Sequence, residues 1–403
     1  MKTDYDIIIS GGGMVGATLA CALGGGSLKV ALIESQVILP VQGGQDLRVS
    51  AITPASRAVF ENIGAWTGMN SARHGSIEAM HIWEGDNALN FNSADIGEPC
   101  LAWIIENRLL VNALRQRLEQ FSNITLLCPA KVNAIEIGET VVTTTLADGR
   151  RIRATLLVGA DGAESQVRQA AGIDWKRHDL GQAAIVANVH VERDHERIAR
   201  QHFLSTGPLA LLPLADPHSV SIVWSADTDR AHALMALDDR LFETELQEAF
   251  GVSLGVLKVT SERIAIPLAL GFAQAYAGHR VVLVGDAAHT VHPLAGQGVN
   301  LGILDAATLA ETLSDAAVSR RDLGANGLLR RYERARKGAD LGMQAVTGGL
   351  RYVFGSQLQG IRRIGSAGLG LSERLPGLKN FLMRRASGLV GELPRLARRH
   401  LNY

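Results

Sequence analysis

The stretch Val281-Val282-Leu283-Val284-Gly285-Asp286-Ala287-Ala288-His289 continues through His292-Pro293-Leu294-Ala295-Gly296-Gln297-Gly298-Val299-Asn300-Leu301-Gly302 to Asp305. Four consecutive apolar residues predict a strand covered on both faces, as in a parallel sheet. Gly285-Asp286 ends that strand with a carboxylate acceptor. The glycines beyond it let backbone amides come close to a ligand at the start of a following helix, where unpaired N–H groups favour an anion. Such a corner suits a phosphate-bearing cofactor that also presents a sugar alcohol.

The amino-terminal end supplies an independent second half. Asp6 to Ser10 predicts a short apolar strand, followed by Gly11-Gly12-Gly13-Met14-Val15-Gly16 and the helix-compatible run Ala17 to Leu23. This is a dinucleotide fingerprint in its required setting: Gly11 for a tight turn, Gly13 for close approach of a pyrophosphate, Gly16 for helix–strand packing. A second strand, Val30 to Ile33, ends in Glu34, where a carboxylate can accept from the ribose hydroxyls of an adenosine and disfavours a ribose 2′-phosphate. A third strand, Thr155 to Val158, leads into Gly159-Ala160-Asp161-Gly162-Ala163-Glu164-Ser165-Gln166-Val167-Arg168.

Between these motifs, Asn107 to Phe121 has helical periodicity, and Ile124 to Leu127 begins an extended segment. Thr140 to Ala147 and Arg151 to Val158 flank Asp148-Gly149 as a hairpin. Ala183 to Val191, Gln201 to Leu212 and Val220 to Ser225 predict strands, with a charged helix around Asp238 to Phe250. The expected fold is α/β: a Rossmann-like, discontinuous dinucleotide-binding domain (1–74, 101–179 and 276–345), an inserted, mainly antiparallel substrate domain (75–100 and 180–275) and a helical tail (346–403).

The 403 residues, 47% of them hydrophobic, suffice for two cores. Cys21, Cys100 and Cys128 are isolated, with neither zinc spacing nor a disulfide framework, which points to a reducing cytosol and no metal site. Met1 leads almost directly into the first strand, and no run of 18 apolar residues occurs, so neither a signal peptide nor a membrane span is expected. Formal net charge is zero, yet from Arg351 onward ten basic residues face two acidic ones. Leu350, Val353, Phe354, Leu358, Ile361 and Ile364 form one apolar stripe of the tail, and Leu378, Phe381, Leu382, Leu389, Val390 and Leu393 a second. A basic amphipathic segment can lie on an anionic membrane or pack on the protein body; no nucleic-acid recognition motif accompanies it.

Gly285-Asp286 and Asp161-Gly162, in this order after the glycine fingerprint, resemble the Gly-Asp and Asp-Gly motifs of flavoprotein hydroxylases of the para-hydroxybenzoate hydroxylase type. The run His292 to Gly302, with Asp305, resembles the signature of the ubiquinone-biosynthesis hydroxylases, the UbiH, UbiF and UbiI group. Asp216-Pro217-His218 and Leu375-Pro376-Gly377-Leu378-Lys379 look most like the UbiI branch, while 161–168 looks equally like UbiF. The resemblance implies FAD held by Gly11, Gly13, Gly16, Glu34, Asp161, Asp286, Pro293, Gly296, Gln297, Gly298 and Asn300. Arg48, Arg108 and Val132 match further positions that contact FAD in the family.

It also implies NAD(P)H as a transient donor, since only one glycine fingerprint is present, and dioxygen as co-substrate. The implied reaction is hydroxylation of a polyprenyl phenol through a flavin C4a-hydroperoxide, at C5 of a 2-polyprenylphenol or at C6 of a later, demethoxyubiquinol-type ring. Other ubiquinone-biosynthesis proteins are the implied partners, and the cytoplasm, with peripheral contact to the inner membrane, the implied location. The cofactor carries the difficult step, so no residue is assigned a catalytic role, and His289 and His292 are expected to be structural. Flavin halogenases share such a domain, but Trp66, Trp83, Trp103, Trp175 and Trp224 are all isolated, without the Trp-x-Trp-x-Ile-Pro pattern. A non-hydroxylating flavoprotein member of a membrane-associated assembly is the remaining alternative.

Overall fold

The computed structural model describes residues 3–37, 46–69, 74–291, 297–354 and 375–398. Its first strand, Tyr5–Ser10, carries Ile7, Ile8 and Ile9, all fully buried, so both faces of the strand are covered. It runs parallel to Arg151–Gly159 on one side and Val30–Ile33 on the other. Val281–Leu283 extends the sheet beyond Arg151–Gly159, and Ile124–Leu127 beyond Val30–Ile33, again in parallel. Ser10 is level with Gly159 and Ile33, and Gly159 with Leu283. The three motif loops therefore leave the sheet at one carboxyl edge, where ligands bind in open α/β sheets.

The strand expected over 281–284 is one residue shorter, because Gly285 turns the chain into a short 3-10 segment, Gly285–Ala287; the Val284 amide still donates to the Gly159 carbonyl at 2.9 Å. Helix Gln297–Val318 packs on helix Met14–Leu23, where a Cβ on Gly302 would lie 2.6 Å from Val15 Cγ2. Only a glycine lets the two helices meet this closely. The expected hairpin forms between Val142–Leu146 and Arg151–Gly159, with Gly149 at φ +86°.

A nine-stranded sheet forms the second layer. Its longest strand, Trp175–Val191, extends eight residues before the predicted Ala183 start. The single strand predicted over 201–212 is two, Ile198–Leu204 and Gly207–Pro213, paired through a tight turn at Ser205-Thr206. Alternation continues across that turn, so periodicity alone hides it. Ala79–Glu84 and Asn87–Asn92 join this sheet at its far edge, whereas His74–Ile77 joins a separate three-stranded sheet with Ala102–Glu106 and Val49–Ile52. Helices Thr228–Ala236 and Asp239–Phe250 cover one face of the large sheet, burying Leu234, Phe242 and Leu246 against Ile185, Ile222 and Trp224. Elsewhere Leu180, Ala184 and Leu268, with the half-buried Val223 and Leu270, form a separate apolar cluster. Strand His289–Thr290 pairs with Gly271 and Phe272 and so joins the cofactor layer to this sheet.

Helix Asn326–Phe354 and helix Pro376–Ala386 complete the described chain. The first apolar stripe of the tail lies outside the residues whose side chains are described, as does Leu378. In the second, Phe381 and Val390 are exposed, while Leu382, Leu389 and Leu393 are half-buried. The tail also grips the body: Asn62 Nδ2 donates to the Leu396 carbonyl at 2.8 Å, and Arg395 pairs with Glu311 and Asp315. No helix among the described residues is long and apolar enough to cross a membrane.

Candidate active site

The amino-terminal turn is built by close backbone contacts. Gly11 has φ +102°, and a Cβ there would sit 2.3 Å from the Ala160 carbonyl oxygen; one on Gly16 would sit 1.9 Å from that of Gly11. Gly13 differs, for a Cβ on it meets nothing within 4 Å. It therefore stands on the open side of the turn, where a bound group can reach the backbone. Glu34 shapes the same turn: its Oε2 accepts from the Gly12 amide at 2.8 Å and its Oε1 from Gln36 at 2.7 Å. A carboxylate has about four acceptor positions, so a ribose diol can still be received.

Val132 is buried at the start of strand Val132–Ile137, and the preceding segment is tied to Glu34 by the Ala130 amide, which donates to the Glu34 carbonyl at 2.7 Å. Arg48 is exposed, its own amide donating to Asp46 Oδ1 at 3.0 Å. Arg108 Nε donates to Glu106 Oε2 at 2.8 Å, and that oxygen also takes the Asp46 amide at 3.0 Å. Glu106 is thus the anchor for Arg108 and for the entry to the Arg48 strand. The sequence reading gave it no role.

Asp161 faces its own loop. Its Oδ1 accepts from Ser165 Oγ at 2.5 Å and its Oδ2 from the Val167 amide at 3.1 Å, which fixes the start of the short helix Gln166–Ala170. Arg168, quoted in the motif without a role, is buried against the Trp175 ring, with its guanidinium carbon 4.0 Å from the ring centroid. It donates to the Ala163 carbonyl at 2.7 Å and to the Ala287 carbonyl at 3.0 Å, so one guanidinium ties the Asp161 loop to the Gly285-Asp286 turn. Burial lowers its pKa, opposed by Asp161 and Glu164.

Gly285 takes φ +59°, and its amide donates to Asp305 Oδ2 at 3.0 Å. Asp286 reaches solvent, yet burial among neighbouring atoms raises its pKa, with the His289 charge opposing. Behind Asp286, His289, Asp305, Arg336 and Asp340 form a buried quartet, each 5% exposed or less. His289 Nε2 donates to Asp305 Oδ2 at 2.6 Å; Arg336 donates from Nε to Asp305 Oδ1 at 2.6 Å and from its terminal nitrogen to Asp340 Oδ1 at 2.9 Å. Burial pulls the His289 pKa down, but Asp305 and Asp340 outweigh it and raise it to about 9. Burial would lift Asp305, but His289 and Arg336 bring it down to about 2. Asp340 is raised to about 6, by burial first and by Asp305 next. Tyr332 closes the base, its hydroxyl donating to the Leu283 carbonyl at 2.9 Å.

Asn300 is buried in the first turn of helix Gln297–Val318. Its Oδ1 accepts from the Thr53 amide at 3.0 Å and its Nδ2 donates to the Ala51 carbonyl at 2.7 Å, so the side chain fastens the helix to strand Val49–Ile52. What the first turn can offer a ligand is its backbone amides, those of Gln297, Gly298 and Val299, which no carbonyl of the helix itself can reach. Pro293, Gly296 and His292 lie outside the described residues, as does the side chain of Gln297.

The family described as FAD binding domain matches residues 4–347. Among curated proteins, the chain is 39% identical to the ubiquinone hydroxylase UbiL of Rhodospirillum rubrum, over 98% of this chain and 92% of that one. It is 34% identical to the 3-demethoxyubiquinol 3-hydroxylase of Escherichia coli, over 95% and 98%, and 33% identical to the mitochondrial ubiquinone biosynthesis monooxygenase COQ6 of Homo sapiens, over 96% and 93%. Of solved structures, p-nitrophenol 4-monooxygenase PnpA from Pseudomonas putida superposes with TM-score 0.77 at 19% identity, over 96% of this chain and 99% of that one, a likeness of fold. FAD is the cofactor, and the chain belongs to the FAD-dependent monooxygenases of the ubiquinone-biosynthesis hydroxylase family.

Proposed function

We propose that this protein hydroxylates the aromatic ring of a polyprenylated phenol in ubiquinone biosynthesis, taking electrons from NAD(P)H and oxygen from dioxygen. The observation that carries this reading is the meeting, at one sheet edge, of the Gly11–Gly16 turn, the Asp161 loop and the Gly285-Asp286 turn, in a chain whose curated relatives are ubiquinone hydroxylases. The residues fit FAD. Gly13 leaves room for the pyrophosphate and Glu34 receives the adenosine ribose, with Gly11 and Gly16 shaping the turn and Val132 lining the adenine. Asp286 accepts from the ribitol chain. The amides of Gln297, Gly298 and Val299 would serve the flavin ring, Pro293 and Gly296 are assigned to the same site, and Asn300 fastens the helix that carries those amides. Asp161, Arg48 and Arg108 hold the loops around it.

FAD, when bound and reduced by NAD(P)H, would supply the activation of dioxygen, one oxygen atom going to the ring and the other leaving as water. The protein's own task is to hold the phenol, keep water away and present preorganised donors. The apolar cluster of Leu180, Ala184, Leu268, Val223 and Leu270 on the large sheet suits a ring bearing a hydrocarbon chain. We assign residues 75–100 and 180–275 to the substrate domain, and the segments 1–74, 101–179 and 276–345 to the cofactor domain. The basic tail, residues 346–403, brings the site to the membrane or to partner proteins of the pathway, since a polyprenyl phenol stays in the bilayer.

The ring position we assign is C5 of a 2-polyprenylphenol. The second reading, C6 of a demethoxyubiquinol-type ring, draws on the Escherichia coli relative, which is named for a demethoxyubiquinol substrate. Mass spectrometry of quinone intermediates in a strain lacking this protein decides between them. Accumulation of a ring missing the C5 hydroxyl supports the first reading, accumulation of the demethoxy ring supports the second, and an unchanged quinone pool contradicts both.

A further inference from the structure

The buried quartet lies under the turn that carries Asp286, and its members come from three elements of the chain, with Gly285 adding its amide from the turn. Gly285 gives the amide at the turn, His289 comes from the strand joining the two layers, Asp305 from helix Gln297–Val318, and Arg336 with Asp340 from helix Asn326–Phe354. Asp305 is the hub. Its carboxylate receives the Gly285 amide, His289 and Arg336 together, at 3.0, 2.6 and 2.6 Å. His289, Asp305 and Asp340 could by themselves enclose a metal ion. The Arg336 guanidinium already takes the cation's place, bridging both carboxylates.

Gly285 is held at φ +59°, a conformation that fixes where the next residue points. A Cβ there would press on Val15 at 3.1 Å, so the turn is also clamped from the glycine-fingerprint helix. With the Arg168 guanidinium holding the Ala287 carbonyl at 3.0 Å, both neighbours of Asp286 are fixed by buried charged groups while Asp286 itself is exposed.

We propose that Asp305 is a positioning residue for FAD: through the Gly285 amide, and with Arg336 and His289 as its counter-cations, it holds the turn in the one conformation that presents Asp286 to the cofactor. This rests on the reading that Asp286 contacts FAD. Asp305 touches neither cofactor nor substrate in this account, and its effect passes through Asp286.

The test is a double-mutant cycle on FAD affinity, read by fluorescence titration of the apoprotein for the parent, Asp286→Ala, Asp305→Asn and the double variant. Asp286→Ala alone should weaken FAD about ten- to hundredfold. Asp305→Asn should weaken it about tenfold or more in the parent, and by less than about twofold once Asp286 is alanine. A loss from Asp305→Asn that is equal in both backgrounds overturns the proposal, because a general loss of packing would be indifferent to residue 286. No change on Asp286→Ala alone instead overturns the underlying placement of Asp286. If Asp305→Asn does not fold, Arg336→Lys runs the same cycle, since an ammonium cannot grip both carboxylates as a planar guanidinium does; dependence on Asp286 is again expected, and equal losses again contradict it.

Discussion

Two turns at the carboxyl edge of the parallel sheet are held in place by different means. The turn from Gly11 to Gly16 is held by backbone fitted against backbone, with Glu34 as its one side-chain support. The Gly285-Asp286 turn stands on buried charge: Asp305, His289, Arg336, Asp340 and, from the other side, Arg168. A glycine turn needs little beyond its own residues, so its evidence is local in sequence. A turn resting on buried ions depends on groups drawn from distant helices, and removing one partner leaves an unpaired charge that costs about 3–5 kcal/mol.

The largest effect should come from the open position in the first turn. Gly13→Val places its Cβ where no atom of the described residues beyond its chain neighbours lies within 4 Å, at an ordinary φ of −66°. The variant should fold and yet lose FAD, seen as colourless protein with an unchanged circular-dichroism spectrum. A folded variant with full FAD content would show that the pyrophosphate does not pass Gly13.

The second turn should instead be sensitive to pH. His289 has a folded-state pKa of about 9 against an ordinary 6.5. A raised pKa gives stability that is complete below about 6.5 and lost as pH rises through about 9, here about 3 kcal/mol. The groups facing it are Asp305, Asp340, Arg336 and Asp286. Asp305 and Arg336 keep their charges across this range, and Asp340, near 6, has changed below it. Denaturant unfolding between pH 7 and 10 should therefore show a fall in the parent that is absent from His289→Gln. Parallel curves would mean that His289 is not held as an imidazolium.

Asp286→Ala should weaken FAD by about 1.5–3 kcal/mol without unfolding the chain, measured as the dissociation constant. An unchanged constant would remove Asp286 from the site. The smallest effect is expected in the tail, where Arg384 and Arg398 are exposed but Arg395 is paired with Glu311 and Asp315. Reversing Arg384 and Arg398 to Glu should reduce co-sedimentation with anionic vesicles by about 1 kcal/mol per arginine at low salt. Equal binding by a folded, FAD-loaded variant would give those arginines to a protein partner.

The contrast also explains what could be read from sequence. Glycine spacing and apolar runs report backbone geometry directly, and so Gly11, Gly13, Gly16 and the Gly285 corner stood out, as did the parallel order of their strands. Glu106 and Arg168 were hidden because their partners, Asp46 and the Ala287 carbonyl, are far away in sequence or belong to the backbone. Arg336 and Asp340 were harder still. One turn apart on a charged helix, they read as a solvated i,i+4 pair, whereas the fold buries both and points them at Asp305. Asn300, expected from the resemblance to hold FAD, has its side chain on Ala51 and Thr53, partners that lie 249 and 247 residues earlier and that no local pattern reveals.

The proposed reaction places an oxygen atom from dioxygen on a polyprenylated phenol. The direct measurement is turnover of the FAD-loaded protein with a short-chain polyprenylphenol, NAD(P)H and isotopically labelled dioxygen, followed by mass spectrometry of the ring. One labelled oxygen atom in the product, formed with NAD(P)H oxidation that the phenol stimulates, is the predicted result; NAD(P)H oxidation with no oxygenated ring, or a ring oxygen taken from water, would contradict it.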